Sequence, residues 1–126
     1  MQIKKYKKLA YVAGPYRDSR GEYYVKQNIR AAEDVAVQLW AAGFAVICPH
    51  MNSAFLGGVY GLSDDVWLEG DLEILSRCDM IIVLPGWQFS DGTRREINKA
   101  EELGIDILYW AKDKDRRFLL DFYKVY

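Results

Sequence analysis

Residues Cys78–Gly104, CDMIIVLPGWQFSDGTRREINKAEELG, join an apolar run, a loop of turn-forming residues and a helical stretch closed by glycine. Met80–Leu84 (MIIVL) is apolar at every position, as a strand buried on both faces requires. Thr93–Leu103 keeps helical spacing, and Gly104 supplies the stop. A strand of this kind running into a helix predicts a parallel sheet joined by right-handed crossovers. Ligands of such sheets lie beyond the carboxyl ends of the strands, where the loop Pro85–Glu96 falls.

The same alternation extends to both sides. Leu9–Ala13 (LAYVA) is a short strand closed by Gly14-Pro15, and Glu22–Ala42 carries Val25, Ile29, Ala32, Ala36, Leu39 and Trp40 at helical spacing before Gly43. Phe44–Cys48 (FAVIC) is a second strand, ended by Pro49. A connection rich in glycine, with Gly57-Gly58-Val59-Tyr60-Gly61 read as a mobile lid or loop, leads to a helix capped by Ser63 and running to about Arg77. Beyond Gly104, Ile105–Ala111 (IDILYWA) is a further strand and Arg116–Tyr123 an amphipathic tail. The expected fold is a small doubly wound (flavodoxin/Rossmann-like) α/β sandwich of three layers, with a parallel sheet of 4–5 strands in one domain spanning 1–126.

Composition narrows the function classes. With 17 Lys plus Arg against 18 Asp plus Glu, no global field draws nucleic acid or an anionic membrane, so an anionic ligand must be held locally. The lead-in KKYKK is a solvated run, the apolar stretch after it is too short for a signal peptide, and no segment reaches transmembrane length. Cys48 and Cys78 lack metal or disulfide spacing and read as reduced core residues of a cytoplasmic protein. With one histidine and no Cys/His cluster, neither a metal nor a cofactor is expected.

Two carboxylates stand out. Glu96 falls in the first turn of its helix, where unpaired backbone N–H groups favour an ionised carboxylate. Thr93-x-x-Glu96 equally fits a capping box, so a structural and a functional reading both stand. Asp71 falls in the apolar rows Leu68-Asp71-Leu72-Leu75 and Trp67-Asp71-Ile74, an acid on a face that should be buried. With the helix starting at Ser63, Asp71 lies ~12 Å along its axis. Gly14-Pro15-Tyr16-Arg17 can place a guanidinium and backbone N–H groups around an anion, or be an ordinary turn. Ser90 and Asp91 are cap-type residues that would also suit phosphate binding and proton transfer. Tyr11, Tyr16 and Trp87 are candidates for stacking on a planar base, and His50 for a contact at the rim. Neither GxGxxG nor GxxxxGK[ST] occurs, which excludes the dinucleotide fingerprint and the P-loop.

Tyr11–Arg17, Gly70-Asp71-Leu72 and Cys78-Asp79…Leu84-Pro85-Gly86-Trp87…Ser90-Asp91-Gly92-Thr93-Arg94-Arg95-Glu96…Ala100…Leu103-Gly104 together resemble the nucleoside 2-deoxyribosyltransferase superfamily, including its 2′-deoxynucleoside 5′-phosphate N-hydrolase branch. The resemblance implies cleavage of an N-glycosidic bond, with Glu96 attacking the anomeric carbon to form a covalent deoxyribosyl ester. It further implies that Asp71 orients sugar and nucleophile, Tyr11 holds Glu96, and Asp91 protonates the departing base. The Gly14–Arg17 turn, Ser90 and Gly92 would hold a 5′-phosphate, while Pro15-Tyr16 and Arg94-Arg95 depart from the hydrolase pattern. The partner is then a small nucleoside or nucleotide, and a homo-oligomer, a dimer or higher, is expected by resemblance. The competing expectation is a nucleotide- or nucleobase-binding module on the same fold without turnover.

Overall fold

Each of the four apolar runs becomes a parallel strand. The computed structural model describes residues 8–52 and 58–121. In chain order these form β1 (Leu9–Ala13), α1 (Glu22–Ala41), β2 (Ala45–Ile47), α2 (Pro49–Asn52), α3 (Asp64–Leu75), β3 (Met80–Val83), α4 (Asp91–Leu103), β4 (Asp106–Tyr109) and α5 (Asp113–Asp121), with 3-10 turns at Val59–Gly61 and Trp87–Phe89. The strand order is β2-β1-β3-β4, every pair parallel, with Ala10 opposite Met80 and Ile81 opposite Ile107. This is the doubly wound α/β fold.

Both faces of the sheet are covered because side chains alternate along each strand. Ala10, Val12, Met80 and Ile82 pack beneath α1 and α5, joined by Ala32, Val35, Ala36 and Leu39 of α1 and Leu119 of α5. Tyr11, Ala13, Ile81 and Val83 pack beneath α3 and α4, against Leu75, Ile97 and Ala100. The spacing of 32, 35, 36 and 39 is the single stripe that an amphipathic helix buries. Cys48 and Cys78 are free and buried, and burial pushes both thiols up to about 11. None of the described helices is long and apolar enough to cross a membrane.

β2 lies on one side of β1 and β3 on the other, so a crevice opens above the adjacent carboxyl ends of β1 and β3, where the connections leaving them diverge. Gly14 and Leu84 follow these two strands, and a Cβ on Gly14 would stand 2.8 Å from the Leu84 Cβ. Glycine is required there by close approach of the two strand ends.

Several boundaries differ from the sequence reading. Helix α4 begins at Asp91, because Ser90 wins the competition for the cap: its Oγ accepts from the Thr93 N–H at 3.2 Å and from Thr93 Oγ1 at 2.9 Å. The Thr93-x-x-Glu96 capping box is therefore not formed, and Glu96 lies beyond the first turn. The second strand is trimmed to Ala45–Ile47, and Pro49 opens the short α2, as its fixed φ allows. The tail helix starts earlier than expected, at Asp113. Most of the KKYKK lead-in, Gly57 of the presumed lid and residues 122–126 lie outside the described residues, whereas 59–61 form a 3-10 turn.

Candidate active site

At the crevice between β1 and β3 lies a cavity of about 460 Å³, within the usual range for small-molecule sites. Its floor is built by Glu96 and Asp71, from two different helices, and Tyr11 supports Glu96 from beneath. Tyr11, the middle residue of β1, alternates onto the α3/α4 face, is wholly buried, and its hydroxyl donates to Glu96 Oε2. Glu96 points inward from α4 in register with Ala100 and is only 8% exposed. Asp71 reaches the same cavity from α3, half-buried. Its distance from the start of the helix proves no obstacle, because α3 runs along the cavity wall and contributes Asp64, Trp67 and Leu68 as well.

Burial dominates the electrostatics of this floor. It lifts Glu96 from an ordinary 4.5 to about 8, with the Tyr11 hydrogen bond pulling the other way and the nearby Asp71 charge raising it further. Burial likewise raises Asp71 to about 6. Tyr11 is pushed upward by burial first and then by the two carboxylates, so it stays a phenol and a donor. The expectation that helix-terminal N–H groups hold Glu96 ionised is thus overturned. The residue sits too far along α4 for those groups to act on it, and desolvation prevails.

The β1 turn forms one wall. Gly14, Tyr16 and Arg17 line the cavity, whereas Pro15 does not. Pro15 instead uses its carbonyl, which accepts from His50 Nε2 at 2.8 Å. A carbonyl only accepts, so Nε2 carries the proton. The His50 ring also meets Tyr16 edge-on at 5.5 Å, and Asn28 Nδ2 donates to the Tyr16 carbonyl at 3.1 Å. Burial lowers the His50 pKa, which keeps this buried clasp neutral. The turn's shape is therefore held by His50, which itself lines the cavity, and by Asn28 behind it.

Exposed ion pairs crown the rim. Arg17 pairs with Asp64 at the start of α3, and Asp91 pairs with Arg94. Ser90, Gly92, Phe89 and Arg95 complete the α4 side, with Phe89 92% exposed. Trp87 is not part of this wall: it packs on Tyr109 at a ring separation of 5.6 Å, away from the cavity. Sequence reasoning missed Asp64, Phe89 and Arg95 as lining residues. For Trp67 and Leu68 the signal existed, since both share an apolar row with Asp71. Among the described residues, no three His, Cys, Asp or Glu side chains form a group able to hold a metal ion.

A family profile described as "Domain of unknown function (DUF4406)" matches residues 8–109. No curated protein matches. Solved structures do. A 2-deoxyribosyltransferase from Bacillus psychrosaccharolyticus aligns at 23% identity over 80% of this chain and 70% of its own, with a TM-score of 0.58. A conserved protein from Enterococcus faecalis V583 aligns at 16% identity over 95% and 77%, with a TM-score of 0.67. A CMP N-glycosidase from Clostridium botulinum aligns at 24% identity over 89% and 80%, with a TM-score of 0.54. At these identities the likeness is one of fold, and it is the fold that the superfamily resemblance implied.

Proposed function

The chain belongs to the DUF4406 family, a domain of unknown function, and we propose that it cleaves the N-glycosidic bond of a deoxyribonucleoside or of its 5′-monophosphate. The observation that carries this reading is the buried hydrogen bond by which Tyr11, beneath the cavity floor, holds Glu96, which lines the cavity together with Asp71. A carboxylate held by a phenol and kept from water suits attack on a carbon centre. Two solved structures of this fold are named for glycosyl chemistry on nucleosides or nucleotides, which supports the same choice.

In this reading Glu96, as carboxylate, forms a bond to the anomeric carbon while the bond from that carbon to the base nitrogen breaks and its electron pair leaves with the base. Asp71 orients the sugar. Asp91, at the exposed rim and paired with Arg94, is the acid that protonates the departing base. In the second displacement, water gives hydrolysis and another base gives transfer, and either frees Glu96 again. Tyr11 acts through Glu96 as a positioning residue: its O–H fixes the carboxylate and favours the ionised form against burial.

One observation favours the non-catalytic alternative. With Glu96 titrating near 8, the carboxyl of the free protein holds a proton at neutral pH, and a neutral acid is a poor nucleophile. Chromatography of free bases after incubation with deoxynucleosides and their monophosphates, with and without an acceptor base, decides between the two. Catalytic release that is lost in Glu96→Gln supports the enzyme; stoichiometric binding with no release supports the module.

A further inference from the structure

The walls of the cavity carry five carboxyl groups (Asp64, Asp65, Asp71, Asp91, Glu96) but only two guanidinium groups, Arg17 and Arg95. Most of these are already engaged. Arg17 is held by Asp64, Asp91 by Arg94, and Glu96 by the Tyr11 hydroxyl. Ser90 spends its acceptor capacity on Thr93, leaving only its O–H to give. The neutral His50 faces the Pro15 carbonyl. Arg95 is different: it lines the cavity and takes part in none of the described ion pairs, although every other described arginine except Arg30 does. It directly precedes Glu96 on α4 and stands one turn beyond Asp91, yet Asp91 is paired with Arg94.

We propose that Arg95 reads a negative charge on the substrate, so that the site takes a deoxynucleoside bearing a phosphomonoester in preference to the uncharged nucleoside. The inference rests on the N-glycosidic reading above. In a cavity rich in carboxyl groups a phosphomonoester is repelled unless a free cation meets it, and the planar guanidinium donates to two of its oxygens at once. Arg17 already has an anionic partner in Asp64, whereas Arg95 has none among the described ion pairs. The position of Arg95, adjacent to the carboxylate that would meet the anomeric carbon, puts the charge reader on the same wall as the reacting group.

The test is kcat/KM for matched pairs of deoxynucleoside 5′-monophosphate and deoxynucleoside, in wild type, Arg95→Gln, Arg95→Lys and Arg30→Gln. The wild type should favour the monophosphate, and the ratio should fall by roughly 10- to 100-fold in Arg95→Gln, the usual worth of a charge-assisted pair. Arg95→Lys should recover part of it, and Arg30→Gln, on the outer surface of α1, should leave the ratio unchanged. Added salt should shrink the preference, since Arg95 is exposed. A ratio unmoved by Arg95→Gln, or a wild type that favours the nucleoside, overturns the proposal. If neither compound is turned over, the N-glycosidic reading fails on its own, and calorimetric binding of the same monophosphate still judges Arg95. Weaker binding in Arg95→Gln upholds its role; equal binding, or no binding to wild type, refutes it.

Discussion

The floor and the rim of the cavity are built from the same residue types and behave in opposite ways. On the floor, Glu96 and Asp71 are taken out of water, their pKa values rise to about 8 and about 6, and the hydroxyl of a buried tyrosine is aimed at one of them. At the rim, Asp64 and Asp91 remain exposed and each holds an arginine. A carboxylate in water gains little from an ion pair and yields little chemistry, whereas a buried one stores free energy in its unwelcome charge. In the proposed function, the contrast gives reactivity to the floor and selection of the ligand to the rim.

Glu96→Gln strikes the floor hardest. Base release should drop at least ~1,000-fold, since no nucleophile of comparable reach replaces it. The variant should nevertheless be more stable. Between 4.5 and about 8 the folded protein holds a proton on Glu96 that the unfolded chain gives up. The wild type therefore keeps its full stability below 4.5 and loses it as pH rises to about 8, by an amount on the order of a few kcal/mol. Asp71 adds a loss of the same sign between 3.8 and about 6. Glutamine escapes the Glu96 share, so thermal unfolding at pH 8 should show a higher midpoint for Glu96→Gln than for wild type, with the gap closing toward pH 5. A variant that is active, or less stable at pH 8, breaks the comparison.

Tyr11→Phe removes one hydroxyl from a wholly buried site and leaves the ring to fill its space. Activity should fall by roughly 10- to 100-fold, the range for loss of a hydrogen bond to a charged group. The diagnostic reading is the pH profile. Because the Tyr11 bond lowers the Glu96 pKa, its loss should move the rising limb to higher pH. A fall in rate with an unmoved limb would make Tyr11 merely structural.

The profile of the wild type itself is the next test. Attack requires ionised Glu96, so kcat/KM should climb about tenfold per pH unit below a midpoint near 8. A profile already flat between pH 6 and 8 would place the reactive group among ordinary, exposed carboxylates and erase the distinction between floor and rim.

The fold was largely legible because it is written in runs and periods. LAYVA and MIIVL are apolar throughout, the α1 stripe keeps its spacing, and the observed strands fall inside the predicted ones. Asp71 announced itself as an acid in an apolar row, and the structure brings it to the cavity. What failed were choices between equivalent local chemistries. Ser90, Asp91 and Thr93 can all cap a helix, and only the assembled chain selects Ser90, which moves Glu96 from a first-turn anion to a buried acid. Trp87 is an aromatic candidate for stacking on a planar base, but Gly86 turns its loop with φ 88 and Trp87 packs on Tyr109 instead. At the rim, Arg17, Ser90, Asp91 and Gly92 were legible as residues of the site, but their pairing was not. Arg17 and Asp64 are 47 residues apart, and nothing local to either encodes their pairing.

Asp64→Asn should have the smallest effect and tests the rim directly. It removes one partner of an ion pair whose side chains are 67% and 65% exposed, so denaturant unfolding should shift by no more than about 0.5 kcal/mol. Base release from an uncharged nucleoside should change no more than about twofold, since the floor is untouched. The variant also leaves Arg17 without Asp64 and so adds a second free cation to the cavity mouth. Binding of a monophosphate should tighten in Asp64→Asn while binding of the nucleoside does not, and low salt should widen the difference. If Asp64→Asn instead unfolds the protein or abolishes turnover, the pair is part of the floor's machinery, and division of the site by burial is wrong.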